Sequence, residues 1–190
     1  MSVILANKIK WEMMMLGYAL CLGLSVLSFS AHATDVNFTA TFESPTCEVS
    51  APAMVDFGNI SSLEVKQGHS ISDPQALVVT LSGCSGWLPA AQKPGVRVSG
   101  LGNTDSGDFL FRMPATSNAV NYGVLLTTAL NSSVISDGAF IPATGNAGNP
   151  PSDGTAIAFN AALSCGTKCS DSTTRGGVLN AAITFSFVYE

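Results

Sequence analysis

From Ala182 to Glu190 bulky and small or polar residues alternate: Ile183, Phe185, Phe187 and Tyr189 stand at every second position, with Thr184, Ser186 and Val188 between them. A repeat of two is the signature of a half-buried β-strand, because successive side chains point to opposite faces. The same repeat runs through Asp35–Phe42, where Val36, Phe38, Ala40 and Phe42 fall on one side. Further short β-rich runs lie between these two, at Ala53–Phe57, Gln75–Leu81, Gly95–Val98, Asp108–Arg112, Tyr122–Thr127 and Thr155–Leu163, and the final run extends over Leu179–Tyr189. Clusters of Gly, Asn, Ser, Asp and Pro separate them, and the cluster at 145–154 reads as an exposed loop. No window carries the 3.6-residue repeat of an amphipathic helix, so the pattern predicts an all-β antiparallel sandwich.

The N-terminal 33 residues stand apart. Lys8 and Lys10 precede an apolar run from Met13 to Phe29 that closes on Ala31-His32-Ala33, the layout of a secretory signal with its small-x-small cleavage site. An uncleaved membrane anchor is the alternative for so long a run. The expected organisation is a signal peptide over 1–33, an N-terminal segment over 34–46 and one domain over 47–190. Secretion changes the reading of the cysteines. Cys47, Cys84, Cys165 and Cys169 remain after cleavage, an even number in an oxidising compartment, and the expected bridges are Cys47 with Cys84 and Cys165 with Cys169. The latter pair is expected to stiffen a hairpin tip between two strands. Zinc ligation by all four is the other option, but their spacing matches no usual zinc site.

The C-terminal strand raises a question of edges. Nothing in the sequence follows it to cover its outer side, and an uncharged aromatic edge is a template for pairing with another polypeptide. At ~3.3 Å per residue, Val36–Phe42 would reach about 23 Å, enough to run along one sandwich edge. A chain that lends one strand and needs another can polymerise head to tail, since a heterologous contact that does not close makes a filament. The competing arrangement is a complete sandwich whose edge is closed by the N-terminal strand of the same chain.

These features, taken in order, resemble the pilin subunits of chaperone-usher fimbriae. The resemblance rests on the alternating N-terminal segment followed by Pro45-Thr46-Cys47, then Val55-Asp56-Phe57-Gly58-Asn59-Ile60, Leu81-Ser82-Gly83-Cys84 and Ala119-Val120-Asn121-Tyr122-Gly123-Val124-Leu125, and lastly Gly177 with Tyr189 next to the end. It implies an incomplete immunoglobulin-like sandwich lacking its last strand, completed in trans by a periplasmic pilus chaperone and then by a neighbouring pilin subunit, with assembly at an outer-membrane usher and export to a cell-surface fimbrium. Val36, Phe38, Ala40 and Phe42 would be the donated side chains. Cys47 and Cys84 would bridge the first two strands, and Gly177, Ile183, Phe185, Phe187 and Tyr189 would mark the chaperone-facing strand. Two departures stand out: Ala40 occupies a position where such donor segments usually carry glycine, and the Cys165-Gly166-Thr167-Lys168-Cys169 loop is not part of the common pattern. The short segment before Cys47 is most like that of minor or tip-adaptor pilins.

Other classes find little support. The formal net charge is −5, and the basic residues after the signal, Lys66, Lys93, Arg97, Arg112, Lys168 and Arg175, are scattered, which disfavours nucleic acid. His69 is the one histidine beyond the signal and lies in a polar stretch. No G-x-S-x-G turn or H-E-x-x-H motif accompanies it, so no catalytic residue, cofactor or metal is expected. Asp105 and Asp108 lack the full calcium-loop pattern and read as a turn. The rival function is a carbohydrate-binding adhesin that uses exposed loops such as 136–154, or a secreted immunoglobulin-like binding domain.

Overall fold

The computed structural model describes residues 46–60, 71–86, 91–143 and 148–190. All of them belong to one compact unit, Phe42–Glu190. The segment Val36–Phe42 and His69 lie outside the described residues.

Among the described residues, nine strands build two antiparallel sheets. They are β1 (Thr46–Ser50), β2 (Gln75–Ser85), β3 (Pro94–Ser99), β4 (Gly102–Ser106), β5 (Asp108–Phe111), β6 (Gly123–Thr128), β7 (Phe140–Pro142), β8 (Thr155–Ser164) and β9 (Thr184–Tyr189). One sheet has the order β1-β2-β8-β6-β5-β4 and the other β7-β3-β9. Alternation decides which side chains face inward. Leu77, Val79 and Leu81 of β2, Ile157, Phe159 and Ala161 of β8, and Val124 and Leu126 of β6 line the inner face of the larger sheet and meet Val96 and Val98 of β3. Phe159 is fully buried, and its ring lies 5.3 Å from that of Phe185, joining the two sheets. Interleaving of two apolar faces in this way is what holds a sandwich together.

The Cys47–Cys84 disulfide ties β1 to β2 at an irregularity in their pairing. Thr46 faces Ser85 and Glu48 faces Ser82, so Cys47 alone opposes Gly83 and Cys84. The extra residue is accommodated at Gly83, whose φ of 57° lies in the left-handed region that glycine enters without penalty. Asp153 Oδ1 accepts the Gly83 N–H at 2.7 Å, anchoring the bulge to the turn before β8.

Several expected elements shift. Ala53–Phe57 forms no strand although Val55 and Phe57 do pack inward on the core. The chain turns at Gly58 (φ 65°), whose N–H is held by Asp56 Oδ1 at 2.8 Å. β1, the polar β4 and the three-residue β7 were not expected from the pattern. The final strand begins at Thr184 rather than Leu179. The Cys165–Cys169 disulfide is present, but not at a hairpin tip. β8 and β9 lie in different sheets, so this small loop opens the crossover between them and wraps a short 3-10 turn, Gly166–Lys168.

Candidate functional site

Among the described residues, the backbone of the last strand is paired on one side only. Lys93 and Glu190 exchange both of their backbone hydrogen bonds, and the register continues through Gly95 opposite Val188, Arg97 opposite Ser186 and Ser99 opposite Thr184. In an antiparallel pair, alternate residues aim their N–H and C=O groups at the partner and the residues between aim them away. The even-numbered residues therefore face β3, and Ile183, Phe185, Phe187 and Tyr189 present theirs to the opposite edge. Among the described residues no strand pairs with that edge.

The arrangement continues upstream, where loop residues stand in for β3. Met113 N–H donates to Asn180 C=O at 2.8 Å, and Asn118 and Ala119 N–H donate to Val178 C=O at 2.9 and 3.1 Å. Val178 N–H donates to Asn118 Oδ1 and Asn180 N–H to Ser117 Oγ. Because side chains supply part of the pairing, 177–183 is extended without being a regular strand. The even residues are again satisfied, which leaves the backbone groups of Gly177, Leu179 and Ala181 toward the open side. Leu179, Ala181, Ile183, Phe185 and Phe187 pack against the core with their side chains half-buried.

Beyond this edge runs a groove of about 760 Å³. Its banks are 51–60 and 176–185, and its floor is Ile71, Leu77, Ala119, Tyr122, Val124, Ala161 and Leu163. The floor residues belong to the two buried apolar clusters of the domain, so the groove opens directly onto the core. Among the described residues, Asp56 is the one ionisable side chain in its lining other than Tyr122, and its carboxylate already caps Gly58. Exposed Met54 and Val178 stand on opposite rims. A row of backbone groups without a partner among the described residues, beside an apolar trough, suits an extended polypeptide with alternating apolar side chains.

Gly177 has a steric reason to be glycine. A Cβ there would strike Asn118 Oδ1 and stand 2.8 Å from Ala119 N, the atoms that hold Val178 in line. Gly177, Ile183 and Phe185 line the groove. Phe187 and Tyr189 lie further along the same edge, with Tyr189 36% exposed. Sequence reasoning missed the opposite bank and the floor as parts of one site. The signal for the bank lies in Val55-Asp56-Phe57, whose alternation predicts a β-rich run and equally suits one side of a groove.

Behind the groove lies the Cys165–Cys169 loop. Asp171 is its hub: Oδ1 accepts the Thr173 N–H at 2.8 Å and the Thr173 hydroxyl at 2.7 Å, and Oδ2 lies 3.7 Å from Lys168 Nζ. The Thr173 backbone bond first, then its hydroxyl bond and the Lys168 charge, hold the Asp171 carboxyl below the usual aspartate range.

Two antiparallel sheets with an open groove beside the final strand define the pilin type of immunoglobulin-like sandwich. The sequence model of the fimbrial protein family matches residues 36–190, and the chain belongs to that family. Membership makes it a structural subunit of a cell-surface fimbrium, with neighbouring pilins as partners, and not an enzyme. Among solved structures it is similar to the P pilus rod subunit PapA, at 18% identity and a TM-score of 0.51, over 82% of this chain and 100% of that one. It is also similar to the subunit in a chaperone-usher pilus structure concerned with rod uncoiling, at 19% identity and a TM-score of 0.51, over 86% and 99% of the two chains. No significantly similar sequence was found among curated proteins.

Proposed function

We propose that this subunit polymerises by strand exchange. Its groove receives an extended segment from a neighbour, and its own Val36, Phe38, Ala40 and Phe42 enter the groove of the next subunit. Before assembly a periplasmic chaperone occupies the same edge, and an outer-membrane usher is where one strand replaces the other. The observation that supports this reading best is the coincidence on Gly177–Phe185 of backbone groups that no described strand pairs with and core-facing side chains beside an apolar groove. An inserted strand would satisfy the first and cover the second, and each apolar side chain it buried fully would contribute about 1.5–3 kcal/mol.

The test is co-purification from the periplasm of the mature chain with the pilus chaperone encoded beside it, comparing wild type with Tyr189→Ala. Tyr189 is exposed in the free subunit, so its truncation leaves the core intact and reports on the partner. A one-to-one complex that the substitution weakens is expected. A soluble, cooperatively unfolding monomer that needs no chaperone would overturn the proposal.

A further inference from the structure

The Cys165–Cys169 loop is not needed to close the sandwich, yet it is joined to the groove by two routes. The first is apolar. Cys165 is 1% exposed and forms a buried cluster with Ile71, Ala119 and Tyr122, against which Leu163, Cys169 and Leu179 pack. Five of these residues line one end of the groove, whereas neither cysteine does. The disulfide is thus the rear wall of that end.

The second route is a chain of hydrogen bonds. Lys168 C=O accepts the Thr174 hydroxyl at 2.6 Å and the Asp171 N–H at 3.0 Å. Asn121 Nδ2 donates to Thr173 Oγ1 at 3.1 Å and to Thr174 Oγ1 at 2.9 Å. Asn121 sits in the left-handed region (φ 65°), a conformation that asparagine tolerates better than most residues and that aims its amide at the loop. The next residue, Arg175, exchanges backbone bonds with Val120, and Gly177 follows against Ala119.

We propose that the Cys165–Cys169 loop is a positioning device for the strand groove, setting the spacing of Gly177 and Leu179 from Ala119 and Tyr122 before a strand arrives. The inference rests on the strand-binding reading above. Its consequence is local: the loop governs the fit of whichever terminal side chain of the incoming strand docks at this end, and leaves the rest of the groove unaffected. Pre-setting a binding surface strengthens association by removing an ordering cost.

The experiment uses the mature chain, refolded from denaturant with oxidised disulfides in the presence of a fluorescent peptide of residues 35–43. Wild type is compared with the C165S/C169S double variant and with Thr174→Val, which keeps the disulfide but breaks the bonds to Lys168 and Asn121. Each protein is also tested with peptides carrying Val36→Ser, Phe38→Ser or Phe42→Ser. The double variant is expected to bind the unaltered peptide about tenfold more weakly, within the range of coupling between residues in contact. Thr174→Val should show a smaller deficit of the same pattern, and it decides the matter if the double variant does not fold. In both, the deficit should disappear with the peptide altered at one terminal position, Val36 or Phe42, and persist with Phe38→Ser. Equal binding by wild type and variants, or an equal deficit with every peptide, would overturn the loop's role while leaving strand binding intact. A wild-type chain that takes up no peptide would overturn the strand-binding reading itself.

Discussion

At the scale of single residues, this domain is sensitive where small size permits close approach. Gly177 touches the backbone of Ala119, so Gly177→Val is expected to force the bank of the groove outward and to cost about 1–3 kcal/mol, as overpacking commonly does. Urea unfolding of the strand-complemented protein measures this directly. Phe159 reports on the core in the opposite sense. It is fully buried and meets Phe185 across the sheets, so Phe159→Ala should cost about 3–5 kcal/mol in the same assay. In the proposed donor segment, Ala40→Gly is expected to be tolerated and Ala40→Leu to block incorporation. Normal fimbriae containing the leucine variant, counted by electron microscopy, would remove Ala40 from the donated set.

What the sequence reveals about individual residues depends on how many constraints each one expresses. The alternation of Ile183, Phe185 and Phe187 was legible because one face of their strand is buried and the other is not. Gly177 could be singled out by its place before that strand, but its steric reason lies in Asn118 and Ala119, which are some 60 residues away in sequence. The groove floor was not legible as a site. Leu77, Val124 and Ala161 look like any core residues in a strand, and what sets them apart is that no described strand covers them.

Among the elements, the long central strands were the most visible, since β2 and β8 keep their alternation over many residues. The polar β4 and the short β7 carry no such repeat and exist because a neighbouring strand pairs with them. Residues 53–57 alternate without being a strand because no strand among the described residues pairs with them. The two disulfides should differ in weight. Closing the 37-residue separation between Cys47 and Cys84 restricts the unfolded chain by up to about 4 kcal/mol in the loop-entropy model, whereas the four-residue loop of the other bridge restricts it far less. Replacing Cys47 and Cys84 by alanine should therefore lower the unfolding midpoint substantially, and replacing Cys165 and Cys169 only slightly. The turn built on Asp171 has its own pH dependence. Its carboxyl is depressed in the folded state, so its contribution is complete above the ordinary aspartate pKa and is lost as pH falls through the lower folded value. Amide exchange at Thr173 should stay slow down to the ordinary aspartate range and quicken only in stronger acid.

At the scale of the molecule, the described residues form a sandwich whose core is open along one side. Joining residues 35–43 to the end of the chain through a flexible linker should close it, giving a monomer whose melting temperature rises by at least about 10 °C, since each kcal/mol gained moves a domain of this size by roughly 2–4 °C. Scanning calorimetry of the two forms would show it, and an unchanged melting temperature would mean that the groove does not take this segment.

The one-sided pairing of the last strand has a mechanical consequence. A strand seated along Gly177–Phe185 would be held by a row of hydrogen bonds lying across its own axis. Tension applied lengthwise to such a joint loads the whole row in shear at once, whereas tension applied sideways would open it one bond at a time. A filament joined in this way resists pulling along its length without any covalent link between subunits, and the number of bonds sharing the load is set by how far the neighbour's segment reaches along that edge.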